Sequence, residues 1–186
     1  DSPMRLSDAP HGYALENHLM LVVRGTKKLR DRLKGPLAVE GRDVSTAVLG
    51  DWFTTALLWR SQVVLMVNVG TFLPVFMPLA PVGSLTDRMP DEIARVLDLH
   101  GVDQALVEAE QEQMDTVLIA PTNDRRVLGV MNEFALLGEH WFKGDLTDLS
   151  MRMAHTPVGP LRSTDNFPDL ALTAFLEGAT LGSATV

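Results

Sequence analysis

The sequence predicts an α+β domain in which an antiparallel β-meander, part of about five strands in total, packs against several α-helices. Three observations point there. Residues 51–79 hold three short runs rich in apolar, aromatic and β-branched residues, separated by turn-forming pairs. From Pro90 onward, apolar residues recur at helical spacing between capping residues and glycine stops. The chain has 186 residues, is 46% apolar and contains no cysteine, so it can bury one core without disulfides or metal.

Residues 1–19 (DSPMRLSDAPHGYALENHL) are polar and lack a period, and read as an extension ahead of a single domain spanning 20–180. They have neither the basic start nor the apolar centre of a secretory signal. Met20–Arg24 (MLVVR) reads as a strand. Thr26 is placed to cap a helix over Lys27–Lys34, which Gly35-Pro36 ends, and Leu37–Gly50 reads as a loop.

The meander follows. Asp51–Arg60 (DWFTTALLWR) is its first strand, and Ser61-Gln62 turns the chain. Val63–Asn68 (VVLMVN) is apolar on both alternating faces, which suits a central strand covered on each side. Val69-Gly70 turns the chain again into Thr71–Leu79. Pro74 and Pro78 lie four apart, so both missing N–H groups face the same way, as an edge strand tolerates. Pro90–His100 begins with proline and acids and is followed by Gly101, so it reads as a helix. Val102–Gln113 reads as a second, acidic helix and Thr116–Ala120 as another strand. Asn123 or Asp124 caps the longest helix, Arg125–Phe142, which Gly144 ends. Leu146–Ala154 and Pro168–Glu177 complete the helices, with a loop at His155–Phe167 between them and a fraying tail after Gly178.

Composition narrows the function classes. A net charge of −8 opposes the cationic footprint that nucleic acids and anionic membranes require. No charged residue occurs from Ser61 to Thr86, a stretch long enough to span a bilayer, but Pro74, Pro78 and Pro81 interrupt it. Each interior proline costs a helix about 3 kcal/mol, so no membrane span is expected. The lack of cysteine removes thiol catalysis and thiolate zinc sites and fits a reducing cytoplasm.

The candidate site residues are Thr26, Lys27, Lys28, Asn68, Arg125, Asn132 and Glu133. Thr26-Lys27-Lys28 opens a helix after Gly25, where an anion could meet free N–H groups. The plainer reading is an N-cap beside two solvated lysines. Arg125, Gly129, Asn132 and Glu139 share one helix face. A glycine inside a helix costs about 1 kcal/mol and implies close approach by a neighbour, so Asn132 is expected to be buried and hydrogen-bonded there.

Other constellations are weaker. Of the histidines, His11 and His18 lie in the extension and His100, His140 and His155 in the domain, with no HxH, HxxxH or HExxH spacing. Glu133 and His140 could share a metal only with a ligand from elsewhere, so no metal site is expected. GxSxG, SxxK, GxGxxG and GxxxxGK(S/T) are all absent, and no cofactor is expected. Glu108, Glu110, Glu112 and Asp115 read as one solvated acidic edge. Trp52 and Trp59 fall on opposite faces of the first meander strand, each more simply a packing residue than a pocket wall.

Several of these segments, taken in order, resemble an uncharacterised bacterial domain-of-unknown-function family. They are Thr26-Lys27-Lys28-Leu29, Trp52, Val64–Asn68, Thr71–Val75 and Asp124–Phe134. Its members are similar in a TKKL start after the first strand, a hairpin with a valine-asparagine and a later threonine, and an asparagine-arginine-serine helix start leading to glycine and Met-Asn. The likeness runs from about Met20 to Trp141, and Asp124 and Arg126 stand where the pattern has asparagine and serine. It implies a bacterial, cytoplasmic, small α+β domain and brings no activity with it.

Two readings of function follow. One is a binding or regulatory module working through a protein partner, a second copy of itself or a small ligand. The other is a hydrolase-like enzyme on an anionic small substrate, with Lys27, Lys28 and Arg125 clamping it and Asn132 or Glu133 as polar catalytic groups. Convergence of Thr26, Asn68 and Asn132 on an open cleft would favour the enzyme or a ligand-binding site; mutual hydrogen bonding in the interior would make them structural.

Overall fold

The computed structural model describes residues 19–33, 36–39, 43–161 and 166–183. The expected extension up to His18, the Lys34-Gly35 helix end, part of the 155–167 loop and the last three residues lie outside the described residues.

Five strands form one mixed sheet in the order β4-β3-β2-β1-β5: β1 Met20–Gly25, β2 Trp52–Leu58, β3 Gln62–Asn68, β4 Pro74–Pro78 and β5 Thr116–Pro121. The predicted meander is present, with β2, β3 and β4 antiparallel in succession. The sheet as a whole is not antiparallel, because β1 runs parallel to both β2 and β5. Direction here is set by the crossovers, since the chain returns to β2 and later to β5 only after intervening helices. The unbroken apolar runs of β1 and β5 are the pattern of buried parallel strands.

Side chains alternate between two covered faces. One face carries Leu21, Val23, Trp52, Val64, Met66, Val75 and Met77, against helices α2 (Leu85–Leu99) and α3 (Gln104–Glu112). The other carries Phe53, Leu57, Val63, Leu65, Val67 and Phe76, against α4 (Arg125–Trp141) and α5 (Leu146–Ala154). Trp52 is fully buried in the first cluster and Trp59 packs at the edge of the second, on opposite faces as their spacing implies.

β4 is an edge strand, as its prolines require. The backbone nitrogens of Pro74, Phe76 and Pro78 face away from β3; the prolines have no N–H, and that of Phe76 donates to Ser150 Oγ on α5 at 2.8 Å. The opposite edge is covered by Pro36 and the first two residues of the expected loop, Leu37 and Ala38. There Leu37 bridges Ile119 in parallel, and Ala38 N–H donates to Ile119 O at 2.9 Å.

Several expectations change. The β3–β4 turn is wider than a Val69-Gly70 pair, because buried Asn68 organises it. Asn68 Oδ1 accepts from Gly70 N–H (3.0 Å), Thr71 N–H (2.9 Å) and Thr71 Oγ1 (3.1 Å), while Nδ2 donates to Leu49 O (2.8 Å). α1 is a single turn, Lys27–Arg30, and Thr26 at its N-cap makes no side-chain cap; its hydroxyl bonds that of Thr55 at 2.9 Å instead. α2 begins at Leu85, so Pro90 lies inside it. Burial of Leu85 and Met89 draws the first turn into the helix, at the cost of one hydrogen bond at the proline. α6 runs Pro168–Ser183, past Gly178, where fraying was expected.

Glu110 is the sharpest departure. It is 3% exposed, whereas Glu108, Glu112 and Asp115 are exposed. Its carboxylate accepts the N–H groups of Val48 and of Leu49 and so ties the 43–51 segment to α3. Burial raises its pKa, and those two backbone bonds oppose the shift.

A candidate ligand cleft at three helix ends

Three helix ends meet beside the first core cluster. His100 is the C-cap of α2; Gly101 follows in the left-handed region (φ +74°), turning the chain toward Asp103, the N-cap of α3. His155 is the C-cap of α5, and Asp169 lies in the first turn of α6. Each placement has a local reason, since histidine suits the negative end of a helix and aspartate the positive end. Together they bring two imidazoles and a carboxylate into one cleft of ≈ 500 Å³.

The geometry is asymmetric. His155 Nδ1 lies 2.8 Å from Asp169 Oδ2, and the His100 and His155 rings meet edge-on with centroids 6.4 Å apart. The walls are apolar: Leu99, Val102, Leu106, Met151, Leu172 and Leu176. Burial lowers the pKa of His100, opposed by the charge of Asp169 and reinforced by that of His155. His100 is therefore a neutral imidazole at pH 7.

Four buried side-chain polar atoms lack a hydrogen-bond partner among the described residues: Trp52 Nε1, Arg88 Nε, His100 Nε2 and Asp169 Oδ1. Two of the four are on residues that line this cleft. A buried polar atom without a partner costs about 1–3 kcal/mol, so such atoms are rare unless something else satisfies them. His155 also borders a second cleft, of ≈ 550 Å³, lined by His140, Trp141, Lys143 and Arg152.

None of the seven residues singled out from sequence lines the cleft at His100. Thr26 is engaged with Thr55, exposed Lys27 pairs with Asp31 at 2.6 Å, and Lys28 is exposed. Asn68 is spent on its turn. Arg125, Asn132 and Glu133 are exposed on α4. The expected burial of Asn132 fails because Gly129 has nothing within 4 Å of where a Cβ would stand. The close approach is on the opposite face, at Gly138, where a Cβ would lie 2.8 Å from Trp59 Cη2. Among the described residues Thr26, Asn68 and Asn132 share no hydrogen bond, so they do not lock one another in the interior.

Sequence reasoning named His100 and His155 only as unpaired histidines and did not single out Asp169. No spacing signal links them, since each is accounted for locally as a helix-end residue. Among the described residues no group of three or more His, Asp or Glu side chains is arranged to hold a metal ion.

The fold and the cleft define a small α+β domain with a covered mixed sheet and, at its helix ends, an apolar-walled cleft holding two histidines and an aspartate. The chain matches the family model "Domain of unknown function (DUF6933)" over residues 22–171, and it belongs to that family. No curated protein matches the chain, and no solved structure does. No helix among the described residues is long and apolar enough to cross a membrane.

Proposed function

We propose that residues 20–180 act as one binding or regulatory module whose small ligand sits in the cleft at His100, His155 and Asp169. The observation that carries this reading is the cleft of ≈ 500 Å³ on which His100, His155 and Asp169 converge from three helix ends, two of them with a buried, unpartnered polar atom. Polar side chains that converge on an apolar-walled cleft are the usual mark of a ligand site. The acidic, cysteine-free composition supports a cytoplasmic setting without nucleic-acid or membrane binding, and the family resemblance implies a bacterial one. A protein partner or a second copy as the occupant is the alternative within this reading.

The enzyme reading has one supporting feature, the Asp169–His155 pair, in which a carboxylate orients an imidazole as it would a general base. No hydroxyl nucleophile is bonded to that imidazole among the described residues. A hydrolase acting on an anionic substrate through Lys27, Lys28 and Arg125 is supported by placement alone, since these residues follow the carboxyl ends of the adjacent parallel strands β1 and β5.

The test is stability. If the unpartnered atoms serve a ligand, His100→Leu leaves unfolding free energy unchanged or raises it by about 1 kcal/mol. A loss of more than about 1 kcal/mol would show that the imidazole holds the fold together.

A further inference from the structure

We propose that the second cleft, at Lys143 and Arg152, binds a small aromatic oxyanion, with its phosphate or carboxylate group on the cations and its ring on Trp141. The site is separate from the cleft at His100, although His155 borders both, so the two assignments stand or fall independently.

One turn and one helix end bring its residues together. α4 closes with His140 and Trp141; Phe142 is its C-cap, and Lys143 and Gly144 (φ +100°) lead to Asp145, the N-cap of α5. Arg152 lies in the last turn of α5, and His155 is its C-cap. The two neighbouring aromatic residues differ in use. Phe142 packs on Trp59 with ring centroids 6.0 Å apart, whereas Trp141 is 37% exposed and joins no ring pair among the described residues.

The lining reverses the sign of the chain. The net charge is −8, yet the cavity of ≈ 550 Å³ is lined by His140, Trp141, Lys143, Arg152 and His155, with no carboxylate among them. A concave surface of one sign concentrates ions of the other, and the volume suits a small organic ligand.

The chain itself uses little of this positive charge. Among the described residues the side chains of Lys143 and His140 have no ion pair or hydrogen bond. Arg152 Nε lies 3.6 Å from Asp148 Oδ2, outside hydrogen-bond range, with both side chains well exposed. Such a surface pair contributes little and leaves the two Nη groups for a forked contact to an oxyanion. His155 gives Nδ1 to Asp169 at 2.8 Å and retains Nε2. Asp145 accepts from the N–H groups of Thr147 and Asp148, and Glu139 does not line the cavity.

Each histidine or arginine near a helix C-terminus has a local account, because it offsets the negative end. That account does not explain why two helix ends, a lysine past one of them and an exposed indole share one cavity. An oxyanion uses the cations, and a planar ring uses the indole, to which aromatic contacts add beyond area alone. An inorganic anion would leave Trp141 unused.

The experiment titrates the full chain with phenyl phosphate, benzoate, inorganic phosphate and benzyl alcohol, following the His140 and His155 imidazoles and the Trp141 indole by NMR. Phenyl phosphate or benzoate is expected to shift all three rings and to bind about fivefold more tightly than inorganic phosphate, the worth of one ring contact. Whichever aromatic anion binds more tightly names the oxyanion, and either supports the proposal. Benzyl alcohol is expected to leave the rings unmoved. Lys143→Gln with Arg152→Gln should weaken the better aromatic anion about tenfold; both side chains are exposed, and unchanged thermal unfolding confirms that the fold is kept. Inorganic phosphate or benzyl alcohol binding as tightly as the aromatic anions overturns the proposal. So does a folded double variant that binds like wild type, or silence of both aromatic anions at about 10 mM. Largest shifts at His100 instead of 140–143 overturn it too, because they place the anion in the other cleft.

Discussion

Helix α4 carries two glycines whose replacement by alanine should have opposite effects. Gly129 is exposed, nothing lies within 4 Å of where an alanine methyl would stand, and its φ lies in the ordinary helical range. Alanine there gains the full helix preference, about 1 kcal/mol, which for a chain of this size raises Tm by about 2–4 °C. Gly138 is buried, and the same methyl would stand 2.8 Å from Trp59 Cη2 and 3.3 Å from Phe76 Cε1. Trp59 has little room to retreat, because its ring centroid lies 5.9 Å from that of Phe76 and 6.0 Å from that of Phe142. Overpacking of this kind costs about 1–3 kcal/mol. Set against the same helix gain, the net for Gly138→Ala is a loss of about 0–2 kcal/mol. Thermal and urea unfolding of the two variants beside wild type measures both. A Gly129→Ala variant less stable than wild type would refute the reasoning and mean that something approaches that face. A Gly138→Ala variant stabilised as much as Gly129→Ala would show that Trp59 is not held.

Two further outcomes are expected. Glu110→Ala removes a buried acceptor and leaves the N–H groups of Val48 and Leu49 without it, so denaturant unfolding should show a loss of about 2–4 kcal/mol; a loss below about 0.5 kcal/mol would show that the 43–51 segment is anchored elsewhere. His100 has a folded-state pKa below its ordinary value, so the unfolded chain takes that proton first and stability falls as pH drops below about 6.5. The stability of His100→Leu relative to wild type should therefore rise between about pH 7.5 and pH 5.5, and a pH-independent difference would contradict the burial of that ring.

The meander was legible because its signals are local: alternation along Val63–Asn68 and two prolines of equal parity at 74 and 78 mark strand and edge in the residues themselves. The direction of β1 and β5 was not, because an apolar run such as MLVVR reads the same in either orientation and only the crossover decides. Pro90 misled because a proline near acids resembles a helix start, while the burial that extends the helix backward depends on tertiary packing. Gly129 and Gly138 have equal standing in sequence; which one is approached depends on where Trp59 lands. Glu110 was hidden among like residues, and its burial follows from the 43–51 segment folding over α3. His100, His155 and Asp169 are each ordinary helix-end residues, and only the meeting of α2, α5 and α6 makes them a cluster.

The most direct test of where ligand binds is a pooled small-fragment screen on the isotope-labelled chain, mapping amide and imidazole shift changes residue by residue. The account predicts that the hits cluster on 99–106, 151–155 and 169–177, with His100 and His155 among the largest shifts. Hits that instead gather at Thr26–Lys28 and Arg125–Glu133, with the His100 cleft silent, would contradict it.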